Sequence, residues 1–262
     1  LCQGIDQGLT AQGQDHFEEV AVAKTVVNRF GSAASLADSA AEEFVTRVAE
    51  LLAEKSQVNV MLTGGTIGIA TLAAIAARED AHLLDWARIQ IWWGDERFVV
   101  ADSSDRNAVQ ARKALLSKVS IPEANIHEFP ALDVNLNLDE ARNLFAAELA
   151  IASPHFDLAF VGMGPDGHIC SLFPGKPEPA TGDLVIAEHD SPKPPPQRLS
   201  FSYEAMNQVD ELWFVVAGSD KAPAISTVFG DDPKALPAAR VQGRNKTIWF
   251  VDQTAGSTTW GC

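Results

Sequence analysis

Residues 156–175 combine the side chains and the spacing that could carry out chemistry. An apolar run predicts a buried strand at residues 156–161, and glycines, a proline, Asp166 and His168 follow it directly. The ordinary pKa of histidine lies near neutrality, so a histidine close to an aspartate could serve as a general base. Open α/β sheets bind their ligands at the carboxyl ends of their strands. The stretch therefore predicts an active-site loop, and a plain strand-to-loop turn is the alternative.

The same loop also matches the dinucleotide-binding pattern G-x-G-x-x-G at Gly162, Gly164 and Gly167. That pattern requires a helix to begin at its last glycine, because the pyrophosphate rests on the helix N-terminus. Only six residues separate Gly167 from Pro174, which is too few for a crossover helix. Glu188 lies at a tolerable distance for a ribose-binding acid. An active-site loop is nevertheless favoured over a dinucleotide site.

A second candidate site begins directly after a predicted strand at residues 58–62. Thr63, Gly64, Gly65 and Thr66 connect this strand to a predicted helix at residues 67–77. Glycines and hydroxyl side chains between a strand and a helix are typical of a phosphate-binding loop. The G-K-[ST] ending of a P-loop is absent. A turn that needs glycine only for its geometry is the alternative.

Charged residues at three further positions indicate an anionic ligand. Asp95, Glu96 and Arg97 follow a predicted strand at residues 89–93, and three adjacent charges there indicate a site rather than a solvated corner. A proline-rich segment at residues 190–198 presents Lys193 and Arg198. Lys221 lies in the first turn of a predicted helix, where the helix dipole disfavours a cation. A bound anion would explain the position of this lysine.

The composition excludes several classes of function. The 262 residues carry a formal net charge of −15, which disfavours nucleic acid and acidic membranes as partners. Cys2, Cys170 and Cys262 form no pattern typical of disulfides or zinc, so no metal site is predicted. No apolar run approaches the roughly 18 residues that span a membrane. These features favour a cytoplasmic protein.

Alternating strand and helix patterns predict an α/β fold, with an open, mostly parallel Rossmann-like sheet flanked by helices. Residues 1–18 are expected to be a disordered leader, and residues 19–262 a single domain. The first strand is predicted at residues 20–27, and a long helix is predicted to begin at Ser35. Later strands are predicted at 184–187, 199–202, 211–217 and 247–251, and later helices at 106–116, 138–152 and 218–229.

In order along the chain, these motifs resemble those of the 6-phosphogluconolactonases over roughly residues 36–251. The most specific are Gly94-Asp95-Glu96-Arg97 and residues 162–168, which read Gly-Met-Gly-Pro-Asp-Gly-His. The resemblance implies hydrolysis of 6-phospho-D-glucono-1,5-lactone to 6-phosphogluconate in the oxidative pentose phosphate pathway, with no metal or cofactor. It also implies a fold similar to glucosamine-6-phosphate deaminase and ribose-5-phosphate isomerase. The chain departs from many members at Ile67-Gly68, where they have proline.

Chemistry and resemblance together predict roles for the site residues. His168 is the expected general base, with Asp166 or Asp95 orienting its ring and Arg97 stabilising the oxyanion or holding the substrate. The residues expected around the phosphate are Thr63, Gly64, Gly65, Thr66, Arg198 and Lys221, with Lys193 as a weaker candidate. Cys170 is expected to be a small buried residue rather than a nucleophile. His16, His82, His127, His155 and His189 are expected at the surface.

Three other functions compete with lactone hydrolysis. A glucosamine-6-phosphate deaminase or isomerase would share the fold, although those enzymes carry Phe-Asn-Glu-Pro where this chain has Ser171-Leu172-Phe173-Pro174. An NAD-dependent oxidoreductase would use the Gly162 motif. A non-catalytic sugar-phosphate sensor would keep the pocket without turnover, and the intact His168 motif disfavours it. The expected partner is a small sugar-phosphate lactone, and the expected assembly is a monomer or weak homo-oligomer.

Overall fold

A computed structural model of the chain describes residues 24–133, 135–230 and 236–256, so the predicted leader at residues 1–18 lies outside the described residues. The strands are β1 Lys24–Phe30, β2 Val58–Leu62, β3 Ile89–Trp93, β4 Asp95–Arg97, β5 Leu158–Gly162, β6 Val185–Glu188, β7 Arg198–Phe201, β8 Glu211–Val216 and β9 Lys246–Asp252. The α-helices are α1 Ala33–Glu54, α2 Gly65–Ala77, α3 Asn107–Ala114, α4 Leu138–Ala152, α5 Tyr203–Met206 and α6 Ala222–Val228.

Six strands form a parallel sheet in the order β1-β9-β8-β5-β2-β3. Every residue of β2 and of β8 is buried. Continuous apolar strands of this kind require helices on both faces of a parallel sheet. The predicted α/β class and parallel sheet are confirmed.

The direction of the chain reverses within this sheet between β2 and β5. From β2 the chain continues to β3 on one side, and it later returns to β5 on the other side of β2. The two central strands pair only through Val60 with Leu158 and Met61 with Ala159. Such a reversal opens a crevice at the carboxyl ends of the strands. The loops that follow β2 and β5 flank this crevice, and both were predicted to hold site residues.

A second, antiparallel sheet of three strands, in the order β4-β7-β6, was not predicted. The three charged residues after β3 do not lie in a loop at the end of a parallel strand, because they form the short strand β4. Gly94 connects the two sheets: its N–H donates to Leu62 O over 3.1 Å, and its carbonyl accepts from Phe201 N over 2.9 Å. The register pairs Asp95 with Ser200 and Arg97 with Arg198. Distant charged residues are thereby brought side by side.

The start of the long helix differs from the prediction. Helix α1 begins at Ala33 and not at Ser35, because Ser32 is the N-cap and Ser35 completes a reciprocal capping box with it. The predicted apolar face is buried, and Leu36, Phe44 and Val48 have no exposed surface. Burial of large apolar side chains contributes about 1.5–3 kcal/mol each, which fixes this helix on the sheet.

The first strand and one histidine also differ from the predictions. Strand β1 extends to Phe30, three residues beyond the predicted end, and residues 20–23 are outside the described residues. His127 is half-buried: its ring stacks on Trp92 with centroids 3.9 Å apart, and its Nε2 lies 2.9 Å from Gln90 Oε1. His82, His155 and His189 are exposed as predicted, and His16 is not described. None of the described helices is both long enough and apolar enough to cross a membrane.

Candidate active site

A cavity of ≈ 900 Å³ occupies the crevice at the carboxyl ends of the central strands. It collects residues from the loops after β2, β5 and β8, from the strands β4 and β7, and from the proline-rich segment before β7. Ten predicted site residues line it: Thr63, Gly64, Gly65, Thr66, Asp95, Arg97, His168, Lys193, Arg198 and Lys221. The eleventh, Asp166, contacts His168 directly. The fold therefore brings together residues that lie up to 158 positions apart, from Thr63 to Lys221.

The loop after β5 folds back on itself so that the His168 ring lies against Gly164. Gly164 N donates to His168 O over 2.9 Å, and a Cβ at residue 164 would meet the ring at 2.0 Å, so only glycine fits there. His168 Nδ1 lies 2.5 Å from Asp166 Oδ1. Asp166, and not Asp95, is thus the aspartate that hydrogen-bonds the ring. Since Nδ1 is engaged, Nε2 is the ring nitrogen left without a described protein partner.

Burial and neighbouring charges set the protonation of this pair. Burial lowers the pKa of His168, and the charge of Lys193 lowers it further. Asp166 and Asp95 raise this pKa, but the net shift is downward. Burial alone would raise the pKa of Asp166, but the hydrogen bond and charge of His168, together with Lys193, lower it overall. At neutral pH the ring is therefore uncharged and the carboxylate is ionised, which is the state that a general base needs.

Asp95 is held firmly at the base of the cavity and is only 7% exposed. Its Oδ2 accepts from Ser171 Oγ over 2.7 Å, and Asn107 Nδ2 donates to its Oδ1 over 3.2 Å and to its carbonyl over 2.9 Å. Arg198 Nη1 lies 3.9 Å from Oδ2. Asp95 therefore anchors the small sheet and the arginine that lines the cavity.

Glu96, Asn107 and Ser171 support the site; Glu96 was predicted only as one of three adjacent charges and without a role, and the other two were not predicted as site residues. The Glu96 side chain is buried and caps α3: its Oε1 accepts from Arg97 N and Asn107 N, and its Oε2 from Ala108 N, over 2.7–2.9 Å. Burial raises the pKa of Glu96, while Arg106 and these N–H groups act in the opposite direction. The capping glutamate precedes its helix by eleven residues, so no local capping pattern in the sequence reveals it.

We expect Glu96→Gln to destabilise the fold by about 1–3 kcal/mol. Both carboxylate oxygens of Glu96 accept hydrogen bonds from backbone N–H groups, and the amide NH2 of glutamine would place a second donor against one of these N–H groups. The free energy of unfolding from urea titration measures this loss. Glu123→Gln is the matched control: Glu123 pairs with Arg112 but its side chain is 75% exposed, so its loss should stay below about 1 kcal/mol. Equal losses in the two variants would contradict a structural role for the Glu96 cap.

Two arginines face the same cavity from neighbouring strands. Arg198 is 5% exposed; its Nε donates to Pro195 O over 3.2 Å, and its Nη2 donates to Lys193 O and Pro194 O over 3.1 and 3.2 Å. These bonds fix the proline-rich segment. Burial lowers the pKa of Arg198, the charge of Asp95 opposes this change, and nearby Arg97 adds to it. An anionic ligand would add to the compensation that Asp95 already gives these two cations.

The two lysines of the cavity lie in different surroundings. Lys221 Nζ donates to Asp220 Oδ2 over 2.5 Å, and its side chain is 19% exposed. Lys193, expected near the phosphate, places Nζ 3.1 Å from His168 Nδ1 and 3.4 Å from Asp166 Oδ1. Lys193 therefore contacts the histidine pair while it lines the same cavity as the other predicted phosphate ligands.

The loop after β2 leads straight into α2. Gly64 is the N-cap of this helix. Because glycine has no side chain, the N-cap residue accepts no hydrogen bond from the N–H groups of the first turn. A Cβ on Gly64 would meet Asn107 Oδ1 at 1.9 Å, so glycine is needed for α3 to pack there. Thr63 Oγ1 accepts from Gly162 N over 3.2 Å and ties this loop to the end of β5.

The structure weakens two alternatives for the loop after β5. Burial, followed by the charge of Asp95, raises the pKa of Cys170 well above its ordinary value, which disfavours a thiolate nucleophile. No helix begins at Gly167, where turns and an isolated bridge between Ile169 and Leu172 follow. Glu188 pairs with Lys176 over 3.0 Å and does not line the cavity. The dinucleotide fingerprint therefore lacks both of the features that it requires.

Within the described residues, one group of side chains has ligand atoms close enough for a metal ion: His155, Asp157 and Asp210, all within 4.8 Å of one another. It precedes β5 and β8, at the amino ends of the strands and thus away from the cavity. Lys55 already forms an ion pair with Asp157 there and lies 3.8 Å from Asp210. This cluster is a salt-bridge network that connects α1 to the sheet.

Fold and site together define an α/β enzyme with a hydrogen-bonded histidine–aspartate pair in a cavity that several cationic side chains also line. The chain belongs to the family described as glucosamine-6-phosphate isomerases/6-phosphogluconolactonase, whose model matches residues 31–249. The match spans both sheets except for β1 and the last three residues of β9, and it includes every residue of the cavity except Asp252.

Individual relatives point to one branch of this family. The 6-phosphogluconolactonase of Streptomyces coelicolor is 38% identical over 234 residues, which cover 85% of this chain and 90% of the relative. The 6-phosphogluconolactonase of Mycobacterium tuberculosis is also 38% identical, over 85% of this chain and 93% of its own length. The crystal structure of the Thermotoga maritima 6-phosphogluconolactonase is 31% identical, with a TM-score of 0.76 over 87% of this chain and 100% of the other.

A monomeric glucosamine-6-phosphate deaminase has the same fold at greater distance in sequence. It is 15% identical, with a TM-score of 0.72 over 88% of this chain and 99% of the other. The fold that the sequence predicted, similar to that of the deaminases, is confirmed. Because this likeness extends only to the fold, the choice of reaction depends on the site.

Proposed function

We propose that this chain hydrolyses 6-phospho-D-glucono-1,5-lactone to 6-phospho-D-gluconate, the reaction named by its relatives, and so acts in the oxidative pentose phosphate pathway. The observation that carries this proposal is an uncharged His168, hydrogen-bonded to Asp166, in a cavity lined by several cations. A lactone is an activated ester, so a positioned water, a base and a stabilised oxyanion suffice for its hydrolysis.

His168 acts as the general base in this proposal. Its Nδ1–H donates to Asp166, which fixes the tautomer and leaves Nε2 to take a proton from water. The water oxygen bonds to the lactone carbonyl carbon, and the ring C–O bond then breaks. The proton held on Nε2 passes to the departing ring oxygen, so the histidine returns to its neutral state.

The cations of the cavity divide between the two ends of the substrate. Arg97, together with Arg198, which pairs with it across β4 and β7 and was expected at the phosphate, offers positive charge to the carbonyl oxygen as it becomes an oxyanion. The Thr63–Thr66 loop, with the N-terminus of α2 and Lys221, offers N–H groups and a charge to the phosphate. This local positive charge matters because the chain as a whole, with a net charge of −15, repels anions.

The loop after the histidine supports the lactonase over the deaminase. Its Ser171 donates to Asp95, and its Phe173 ring lies 4.8 Å from the His168 ring. Both residues belong to the Ser-Leu-Phe-Pro segment that differs from the Phe-Asn-Glu-Pro of deaminases. The segment therefore contacts two residues that line the cavity, Asp95 and His168.

Freshly generated 6-phosphogluconolactone provides the direct test. Acid release should far exceed the spontaneous rate at neutral pH, and ammonia release from glucosamine 6-phosphate should be absent. If the lactone is hydrolysed only at its spontaneous rate and ammonia is released from glucosamine 6-phosphate, the chain is a deaminase and not a lactonase. Binding of the lactone without turnover would make it a sensor. The cytoplasmic location and the monomeric or weakly associated state remain predictions.

A further inference from the structure

The proline-rich segment holds the backbone of Lys193 in a fixed position. The backbone N–H of Lys193 donates to Ser191 Oγ over 3.2 Å, which restrains the backbone at this residue. Its carbonyl accepts from Ser191 Oγ over 2.9 Å and from Arg198 Nη2 over 3.1 Å. Arg198 is itself buried. Three backbone bonds therefore fix the point from which the Lys193 side chain extends into the cavity.

The ammonium group of Lys193 joins the pair of His168 and Asp166. Nζ lies 3.1 Å from His168 Nδ1 and 3.4 Å from Asp166 Oδ1, while Nδ1 and Oδ1 are 2.5 Å apart. Nδ1–H donates to Asp166, so Nδ1 has no lone pair to offer the lysine. The ammonium must therefore donate to the same carboxylate, with its charge held close to the ring.

We propose that Lys193 is a positioning residue of the reaction and does not bind the substrate phosphate. Its ammonium shares the Asp166 carboxylate with His168, which keeps the ring uncharged and Nε2 unprotonated. This inference rests on the proposed hydrolysis. It also gives Lys193 a different role from Lys221, which lines the same cavity but contacts Asp220.

The charges that face His168 come from three elements. Asp166 lies on its own loop and Asp95 on β4, and both carboxylates favour the charged imidazolium. Lys193, on the proline-rich segment, opposes them. The other charged groups that line the cavity are Arg97, Arg198, Asp220, Lys221 and Asp252. Removal of the lysine would leave burial as the main effect that opposes the two carboxylates, so the ring would take up a proton at higher pH.

The lysine also affects the second half of the reaction. After Nε2 has taken the proton of the attacking water, the imidazolium lies beside the ammonium of Lys193. Repulsion between the two cations favours transfer of that proton to the ring oxygen as the ring C–O bond breaks. The water contributes its hydroxyl to the new carboxyl group and its proton to the new hydroxyl, so the balance needs no further reactant.

Lys193→Gln tests this role, with the pH dependence of kcat measured on 6-phosphogluconolactone and on unphosphorylated glucono-1,5-lactone. The acid limb should move up by about one pH unit on both substrates alike. Lys193→Arg, which retains the charge, should restore most of the original profile. Lys176→Gln removes a nearby lysine that pairs with Glu188 outside the cavity, and it should leave the profile unchanged.

An NMR titration of the His168 ring in the wild type and in Lys193→Gln provides a readout that does not depend on turnover. The His168→Asn spectrum assigns the signal, and the pKa of His168 should be higher in Lys193→Gln. If the wild type fails to hydrolyse the lactone, the proposed function fails, whereas this titration still decides the effect of Lys193. An unchanged titration, or a loss confined to KM for the phosphorylated lactone, would overturn the proposal and make Lys193 a phosphate ligand.

Discussion

The His168→Asn variant should lose about 10²–10⁴-fold in kcat, which is the usual contribution of a positioned general base. Asparagine keeps a polar side chain in the loop but has no nitrogen that can take a proton from water. The contacts of the phosphate loop and of Lys221 do not involve residue 168, so KM should change only a few-fold. Steady-state kinetics on freshly generated lactone, corrected for the spontaneous rate, measure both constants.

Cys170→Ala is the matched control in the same loop. Cys170 lines the cavity two residues from the histidine, but its raised pKa keeps the thiol protonated. The variant should therefore keep nearly full activity. An inactive Cys170 variant together with an active His168 variant would show that a covalent intermediate replaces direct attack by water.

The pH profile tests the same base by another route. His168 must be neutral to act, so kcat should fall as the pH drops through the pKa of the ring. Burial lowers that pKa, so the midpoint of the fall should lie below the ordinary value of about 6.5. The acid limb should disappear in His168→Asn, since the variant has no imidazole to take up a proton in this pH range. A limb that persists unchanged would assign it to another group.

The sequence was sufficient to predict the parallel sheet and the two loops that flank the cavity, because each depends on local patterns. Apolar runs followed by Thr63–Thr66 and by residues 162–168 specify both a strand and the loop at its carboxyl end. Parallel strands place all such ends at one edge of the sheet. That rule alone brings the two loops together, and in the structure they flank one crevice.

The small sheet and the partners of each charge were not predictable in the same way. Strand β4 is three residues long and pairs with a strand about 100 residues later, so no local periodicity reveals it. The cap that Glu96 gives α3 and the position of Lys193 beside the histidine depend on that pairing or on the course of the proline-rich segment. The choice of Asp166 over Asp95 for His168 depends on how the loop after β5 folds back on itself. Residue type and spacing leave such contacts open.

Lys221→Ala should reduce kcat/KM for the phosphorylated lactone about ten- to a hundredfold, because a hydrogen bond to a charged group contributes roughly 1.5–3 kcal/mol. Unphosphorylated glucono-1,5-lactone should be hydrolysed almost as fast by the variant as by the wild type. Lys118→Ala, which removes an exposed lysine outside the cavity, controls for the change in net charge.

Arg198→Ala should behave differently from Lys221→Ala, although both cations line the cavity. Arg198 holds the carbonyls of Lys193, Pro194 and Pro195, so its loss also releases the segment that positions Lys193. Its removal should therefore slow both lactones, with an additional loss on the phosphorylated one if it also reaches the phosphate. Equal losses on both lactones in Lys221→Ala would instead remove Lys221 from the phosphate site and leave the loop after β2 as the main phosphate ligand.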